Sequence, residues 1–295
     1  MKLIAQHQVP ELVDPIRIYD YVNGLFDQLP SRKSVKKAID KGEIKLNGEN
    51  TQTGWWLKGG ELIELIDLEV TPPKPYHLKL RVLFEDQYLA VIFKPAGLLS
   101  SGNAFKTVTN ALLYNLEKSN ASDALPWPLV VHRLDQQTSG LLIVAKSKTA
   151  RIQLGKEFES GNIGKTYHAV VLGKPEASGL IDSDIDGKSA KTAFETLKTV
   201  PSVRSSNLSL VKLNPQTGRK HQLRIHLSEM GHAILGDPLY SPKELQLKNK
   251  GLFLCATDLK FTHPITQNLI SISCEIPKKF GKRMESEKNR WLKYN

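Results

Sequence analysis

The chain has 295 residues, long enough for about two domains, and its 40% hydrophobic and 24% charged residues suit a globular protein with a sizeable core. Its 41 basic against 30 acidic residues leave a formal net charge of +11, which favours a polyanionic partner, nucleic acid ahead of an anionic membrane surface. Cys255 and Cys274 stand nineteen positions apart with no C-x-x-C pair, so a disulfide framework or zinc ribbon is unsupported, and no run approaches the roughly 20 apolar residues of a membrane-spanning helix.

The start, "MKLIAQHQVPELVD", lacks an apolar stretch of signal-peptide length. With the cysteine usage it points to the cytoplasm, and residues 1–15 read as a short extension. "IRIYDYVNGLFDQLP" then sets Ile18, Val22, Leu25 and Phe26 at helical spacing up to Pro30. Ser31 offers an N-cap for a second helix, "RKSVKKAIDKG", with Val35, Ala38 and Ile39 facing a core and Gly42 as its stop. "EIKLNGEN" alternates and turns at Asn47-Gly48, and "ELIELIDLEV" reads as a further strand. Residues 1–70 thus form an extension and a small α/β unit. The proline-rich "TPPKPYH", residues 71–77, reads as a linker.

Residues 78–295 form the larger domain. Strand patterns ("YLAVIFK", "LLIVAKS", "TYHAVVLG", "NLSLVKL", "LISISCEI") mix with helical ones ("TVTNALLYNL", "TARIQLGKEFESG", "GRKHQLRIHLSEMG") without strict βαβ alternation. The expected class is α+β, with a mixed, largely antiparallel central sheet flanked by helices. The tail from Lys278 carries seven basic and two acidic residues, and the pattern leaves its order open.

Two motifs are decoys. "GNIGKTY" ends like a phosphate-cradling loop, but only two residues separate Gly161 from Gly164 where four are needed. "HQLRIH" spaces His221 and His226 five apart, whereas a helical zinc pair wants four with a glutamate between. His132 and His232 are isolated and read as hydrogen-bonded structural histidines.

The small unit gathers Arg32, Lys33, Lys36, Lys37, Lys41 and Lys45 within fourteen positions. Such a face is either simply solvated or suited to the phosphate backbone of a folded RNA. The order "SRKSVKKAIDKGEIKLNG" resembles the RNA-binding domain named after the fourth protein of the small ribosomal subunit, over about residues 16–66. The resemblance implies that these six residues contact RNA.

In "VHRLDQQTSGLLIVAKS", Arg133 and Asp135 sit between apolar runs that read as short buried strands, "LPWPLVV" and "LLIVA". Charge in such a place is costly unless paired. If a strand runs through, Val131, Arg133 and Asp135 share one face, and the two charges either bridge each other or form a site. The stretch resembles the catalytic motif of the RluA-like pseudouridine synthases: His-Arg-Leu-Asp, a polar pair, Thr-Ser-Gly, then an apolar strand. "EDQYLAVIFKPAGLLSS" is similar to the family's strand into Lys-Pro-Ala-Gly, with Phe93 where asparagine is usual. "KTYHAVVLG" matches its Lys-x-Tyr strand at Lys165 and Tyr167. "TGRKHQLRIHLSEMGHAILGDPLY" matches its late motif, with Lys220 where threonine is common. The resemblance spans about residues 80–277.

What the resemblance implies is an RNA isomerase that detaches uracil at its first ring nitrogen, rotates it and rejoins it through the fifth ring carbon. The reaction calls for one ionised carboxylate, by resemblance Asp135, partnered by the guanidinium of Arg224. Tyr167 is expected to face the uracil, and Arg133 to hold the vacated RNA or a neighbouring phosphate. The target uridine must leave its stack. No metal, nucleotide or other cofactor is implied. The expected partner is ribosomal RNA, with transfer RNA as the alternative, and the expected state is a monomer. Two rivals stay open. A non-catalytic ribosome-assembly factor would share the charge without needing Asp135, Tyr167 and Arg224. A glycoside hydrolase would want a second carboxylate, for which Glu157, Glu159 and Asp237 are near enough in sequence.

Overall fold

The computed structural model describes residues 2–67, 72–247 and 249–294. Leu68–Val70, the end of the expected strand, and Thr71, the start of the expected linker, lie outside them, as do Met1, Lys248 and Asn295. The chain divides into two units, Met1–Pro72 and Pro73–Asn295.

In the first unit, the elements are β1 (Lys2–Gln8), β2 (Ile16–Arg17), α1 (Ile18–Tyr21), α2 (Arg32–Asp40), β3 (Ile44–Leu46), β4 (Glu49–Asn50), β5 (Trp56–Leu57) and β6 (Leu62–Asp67). The sheet order is β1-β6-β3-β4, with β2 and β5 as a separate pair. The first residues are therefore no loose extension. β1 pairs along β6 from Lys2↔Asp67 to Gln8↔Leu62, and Val9 joins the core. The first helix is also shorter than its apolar spacing suggested. Gly24 takes a φ of +83°, a left-handed turn that glycine adopts without penalty, and α1 ends after one turn. Ile18, Val22 and Phe26 still reach the core. α2 follows its sequence signals closely. The Ser31 hydroxyl accepts from the Ser34 N–H while the Ser34 side chain accepts from the Ser31 N–H, a complete capping box. Val35, Ala38 and Ile39 are buried, and the β3–β4 hairpin turns at Asn47 and Gly48, both at positive φ.

The second unit comprises β7 (Arg81–Glu85), β8 (Leu89–Lys94), α3 (Val108–Asn115), β9 (Ala124–Val130), β10 (Ser139–Ser147), α4 (Lys148–Glu159), β11 (Gly164–Leu172), β12 (Ser178–Asp182), β13 (Lys191–Ser202), β14 (Ser206–Pro215), α5 (Gln222–Glu229), β15 (Leu254–Thr262), β16 (Leu269–Ser273) and α6 (Lys278–Tyr294). Its sheet runs β12-β13-β14-β11-β15-β10-β8-β7, with β16 on β15 and β9 on β10. Among the described residues the β10–β15 pair is parallel and the other pairs are antiparallel, so the sheet is mixed and largely antiparallel, as the patterns suggested. Tyr76 and Leu78, from the stretch read as linker and just after it, pack on the cluster that contains α3.

β10 explains the longest apolar run. Every residue in it is buried because both sheet faces are covered. Leu142 and Val144 pack with Ala111 and Leu112 of α3, and Leu141, Ile143 and Ala145 with Ala150 and Leu154 of α4. β9, by contrast, is only partly buried. It carries Pro126 and Pro128, which lack ladder donors and suit an edge. The tail is helical from Lys278 to Tyr294. α6 buries Phe280 and Met284 in the core shared with β13 and β14, and the buried Glu287 accepts from Ser202 at 2.9 Å and pairs with Arg283 at 2.6 Å.

Gly140 lets β10 meet β15. Its φ is +124°, and a Cβ there would overlap the backbone of Ala256, its partner in the parallel pairing. We expect Gly140→Ala to destabilise the second unit by on the order of 3 kcal/mol, read as a lowered denaturation midpoint. A midpoint unchanged from wild type contradicts that account of the close approach.

Candidate active site

The charged stretch does not continue a strand. β9 stops at Val130 and β10 begins at Ser139; between them the Asp135 carbonyl accepts the Thr138 N–H at 3.0 Å, closing a turn. The expected alternation is lost, and no ion pair joins Arg133 to Asp135 among the described residues. Arg133 is exposed, whereas the Asp135 carboxylate is 19% exposed.

The backbone on either side of Asp135 is pinned. The Ser100 hydroxyl donates to the Leu134 carbonyl at 2.9 Å and accepts the Leu134 N–H at 3.1 Å. Beyond Asp135, the Gln136 carbonyl accepts from Lys94 Nζ at 3.0 Å and from the Gly97 N–H at 2.7 Å. Lys94 is fully buried and also donates to the carbonyls of Pro95 and Leu98 at 3.0 and 2.6 Å. Burial pulls its pKa down to about 8, against the attraction of the Asp135 carboxylate. The Lys94–Gly97 segment thus buttresses the acid loop from below.

Asp135 opens into a cavity of about 730 Å³, lined among others by His132, Arg133, Phe158, Lys165, Tyr167, Arg219, Lys220, His221 and Arg224. The volume falls in the range of small-molecule pockets, about 300–1,000 Å³. Arg224 Nη1 lies 3.6 Å from Asp135 Oδ2 and His221 Nε2 lies 3.8 Å from the same oxygen. Both separations exceed a charge-assisted hydrogen bond of about 2.7–2.9 Å, so neither donor saturates the carboxylate.

Arg224 has a firmer partner. Its Nε and Nη2 donate to the two oxygens of Asp237 at 2.6 and 2.7 Å. Asp237 is wholly buried and also accepts the N–H groups of Leu239 and Tyr240. Burial alone would raise the Asp237 pKa, but the Arg224 hydrogen bonds and these N–H groups outweigh it and hold the carboxyl below its ordinary range. The Arg224 guanidinium also lies 5.0 Å from the centre of the Tyr240 ring, and the Tyr240 hydroxyl meets His221 Nδ1 at 2.9 Å. Burial lowers the His221 pKa; Asp135 opposes the shift, while Arg224 and Lys220 add to it.

His221 also corrects a boundary. The helix expected from Gly218 begins at Gln222, and His221, its N-cap, takes a left-handed φ of 56°. A non-glycine residue in that region is uncommon and costs free energy. It turns the ring from the helix start toward the cavity.

Tyr167 stands on β11, where a shift in the pairing with β15 falls between Thr166 and Tyr167. Burial first, and then the Asp135 carboxylate, push its phenol above the ordinary range, so it stays a neutral ring at physiological pH. His132, which also lines the cavity, stacks on Phe158 with centroids 4.3 Å apart and accepts the Ile143 N–H at 3.0 Å. Burial, with Lys165 adding to it, pushes the His132 pKa down to about 3. His226, the other half of the rejected zinc pair, bonds Thr192 and the Ser183 carbonyl.

The fold therefore brings Asp135, Arg133, Tyr167 and Arg224 to one cavity. The six basic residues lie in the N-terminal unit. Arg32 pairs with Asp20 and Lys41 with Glu43, each at 3.0 Å, and Lys45 bonds Asn50 at 2.6 Å. Lys33, Lys36 and Lys37 are exposed on α2 at helical spacing, opposite the buried stripe, and none has an acidic partner among the described residues. From the sequence, Ser100 and Tyr240 have no role, Lys94 is only the start of a matching motif, His221 is set aside as a zinc ligand and Asp237 is offered only as a second carboxylate for a hydrolase. Only three-dimensional proximity brings them to the site.

A model described as RNA pseudouridylate synthase matches residues 88–229, a span that contains Asp135, Tyr167 and Arg224 but not Asp237. The chain is 33% identical to the "Ribosomal large subunit pseudouridine synthase D" of Zymomonas mobilis, over 84% of this chain and 86% of that one. It is 30% identical to the protein of the same name from Xanthomonas campestris, over 96% and 92%. Among solved structures it is similar to the human "RNA Pseudouridylate Synthase Domain Containing 4", with a TM-score of 0.54 and 25% identity over 68% of this chain and 90% of that one.

Proposed function

Because the chain belongs to the RNA pseudouridylate synthase family, whose members convert uridine to pseudouridine in RNA, we propose that it modifies ribosomal RNA and that Asp135 carries the chemistry. The observation that supports this most is the placement of Asp135 in a nucleotide-sized cavity, 3.6 Å from a guanidinium that is itself anchored elsewhere. An anchored charge balances the carboxylate without occupying the lone pairs the sugar must meet. Preorganised charge of this kind needs no rearrangement when charge develops on the sugar.

Uracil leaves C1′ through its first ring nitrogen, turns, and is rejoined through its fifth carbon, which then gives up its proton while the first ring nitrogen gains one, so the product is an isomer. Asp135 either bonds the sugar or stabilises the cation-like or glycal-like form between the two steps. The neutral Tyr167 ring gives the detached base an apolar face to turn against. The target nucleotide reaches the cavity by leaving its stack, and Arg133, exposed at the cavity, suits a contact with the gap or an adjacent phosphate. The +11 charge and the exposed Lys33, Lys36 and Lys37 on α2 suit a second, largely sequence-blind contact with the RNA backbone. Ribosomal RNA is favoured over transfer RNA because two relatives that span nearly the same length carry names that specify the large ribosomal subunit.

The full chain, incubated with unmodified ribosomal RNA and transfer RNA, should introduce pseudouridine at a defined ribosomal position, read by mapping of the product. Released uracil would argue for a hydrolase, binding without product for an assembly factor, and product in transfer RNA alone would overturn the substrate assignment.

A further inference from the structure

Lys165 lies on β11, two residues before Tyr167, and both line the cavity that holds Asp135. Its side chain is half-buried, and no carboxylate among the described residues is within ion-pair reach of its ammonium. Its ammonium lies over an aromatic face, the Phe158 ring, 5.9 Å from Nζ to the centroid. The wall behind that ring is uncharged, since His132, stacked on Phe158, is neutral. The carboxylates lining the cavity are Asp135, faced by Arg224 and His221, and Glu159, which is exposed. Lys165 is thus a partly desolvated cation aimed into a substrate cavity without a counter-ion. Such a charge is costly to hold unless an anion arrives, and burial already pulls its pKa below the ordinary value.

Every nucleotide of an RNA substrate brings an anion. Two residues along a strand cover about 6.6 Å, so a base against Tyr167, with its sugar at Asp135, leaves a phosphate of the same nucleotide within reach of a lysine side chain. We infer that Lys165 binds one of the two phosphates flanking the target uridine and so positions its sugar over Asp135. The inference rests on the isomerase reading above, and it gives the site a phosphate anchor distinct from the exposed arginine at its rim.

The test uses the full chain and a synthetic RNA stem-loop carrying the uridine that the wild type modifies. It compares wild type, Lys165→Met and Lys165→Arg on the natural RNA and on RNAs with a neutral methylphosphonate linkage placed 5′ or 3′ of that uridine. Lys165→Met should raise KM about tenfold, with the loss falling on KM rather than kcat, and Lys165→Arg should recover most of it. The slope of log affinity against log salt should fall by about 0.7–0.9, the value of one phosphate contact. One of the two neutral linkages should weaken the wild type as much as Lys165→Met does, and weaken Lys165→Met no further. Additive losses with both linkages, or a variant indistinguishable from wild type, would overturn the anchor while leaving the isomerase reading intact. If the wild type binds RNA but forms no pseudouridine in any RNA, the isomerase reading itself falls.

Discussion

Asp135→Asn should bind RNA as tightly as the wild type and form no detectable pseudouridine. The amide matches the carboxylate in shape, and the loop around it is held by groups that ignore the substitution. Ser100 fixes Leu134 through two hydrogen bonds, and Lys94 with Gly97 fixes the Gln136 carbonyl. The charge at the reacting centre is what changes. A neutral amide can neither bond C1′ nor offset positive charge on the sugar, and loss of a residue in that role costs on the order of 10⁴-fold or more in rate. Binding affinity, measured at fixed salt, reports the phosphate contacts, which the substitution leaves alone. Turnover within tenfold of wild type, from a preparation free of contaminating enzyme, would remove Asp135 from the mechanism.

Much of the scaffold was legible because local signals and tertiary packing agree in it. Ser31 and Ser34 cap α2, Asn47-Gly48 turns the hairpin, and the unbroken apolar run of β10 marks a strand covered on both faces. Errors arose where a local pattern was overruled. Ile18, Val22 and Phe26 keep their core positions although Gly24 cuts the helix to one turn. Leu3 and Ile4 belong to β1 only because β6 offers it an edge some sixty residues later, which no local window contains. At the site, the order of motifs marked Asp135, Tyr167 and Arg224. It misjudged the conformation around Asp135, since alternating residues on paper became a turn once Lys94, fixed on β8, gathered three carbonyls around its ammonium. Arg224 does stand beside Asp135, at 3.6 Å, but its closer partner was not foreseen. Asp237 lies thirteen residues further along, in a turn rather than on the helix, and neither helical nor strand periodicity points to it.

Replacing Asp237 should therefore disturb both stability and rate, and two substitutions separate the effects. Asp237→Ala leaves the Arg224 guanidinium, 5% exposed, without its bidentate partner. Stranding a buried charge in this way costs about 3–5 kcal/mol, which for a unit of this size lowers Tm by on the order of 10 °C. Asp237→Asn keeps the volume and one acceptor but loses the charge, so the fall in Tm should be smaller. Its rate should still drop about 100-fold. Once Asp237 no longer holds Nε and Nη2, the nearest remaining anion for Arg224 is Asp135, now 3.6 Å away. Closing that gap to a true charge-assisted pair would move the guanidinium by nearly 1 Å and occupy a carboxylate oxygen that the sugar must meet, and a displacement of that size is worth about 10² in rate. The loss should fall on kcat in single-turnover measurements, with RNA affinity held. An Asp237→Asn protein that keeps wild-type kcat would mean that Arg224 needs no anchor, and that its distance from Asp135 is incidental to the chemistry.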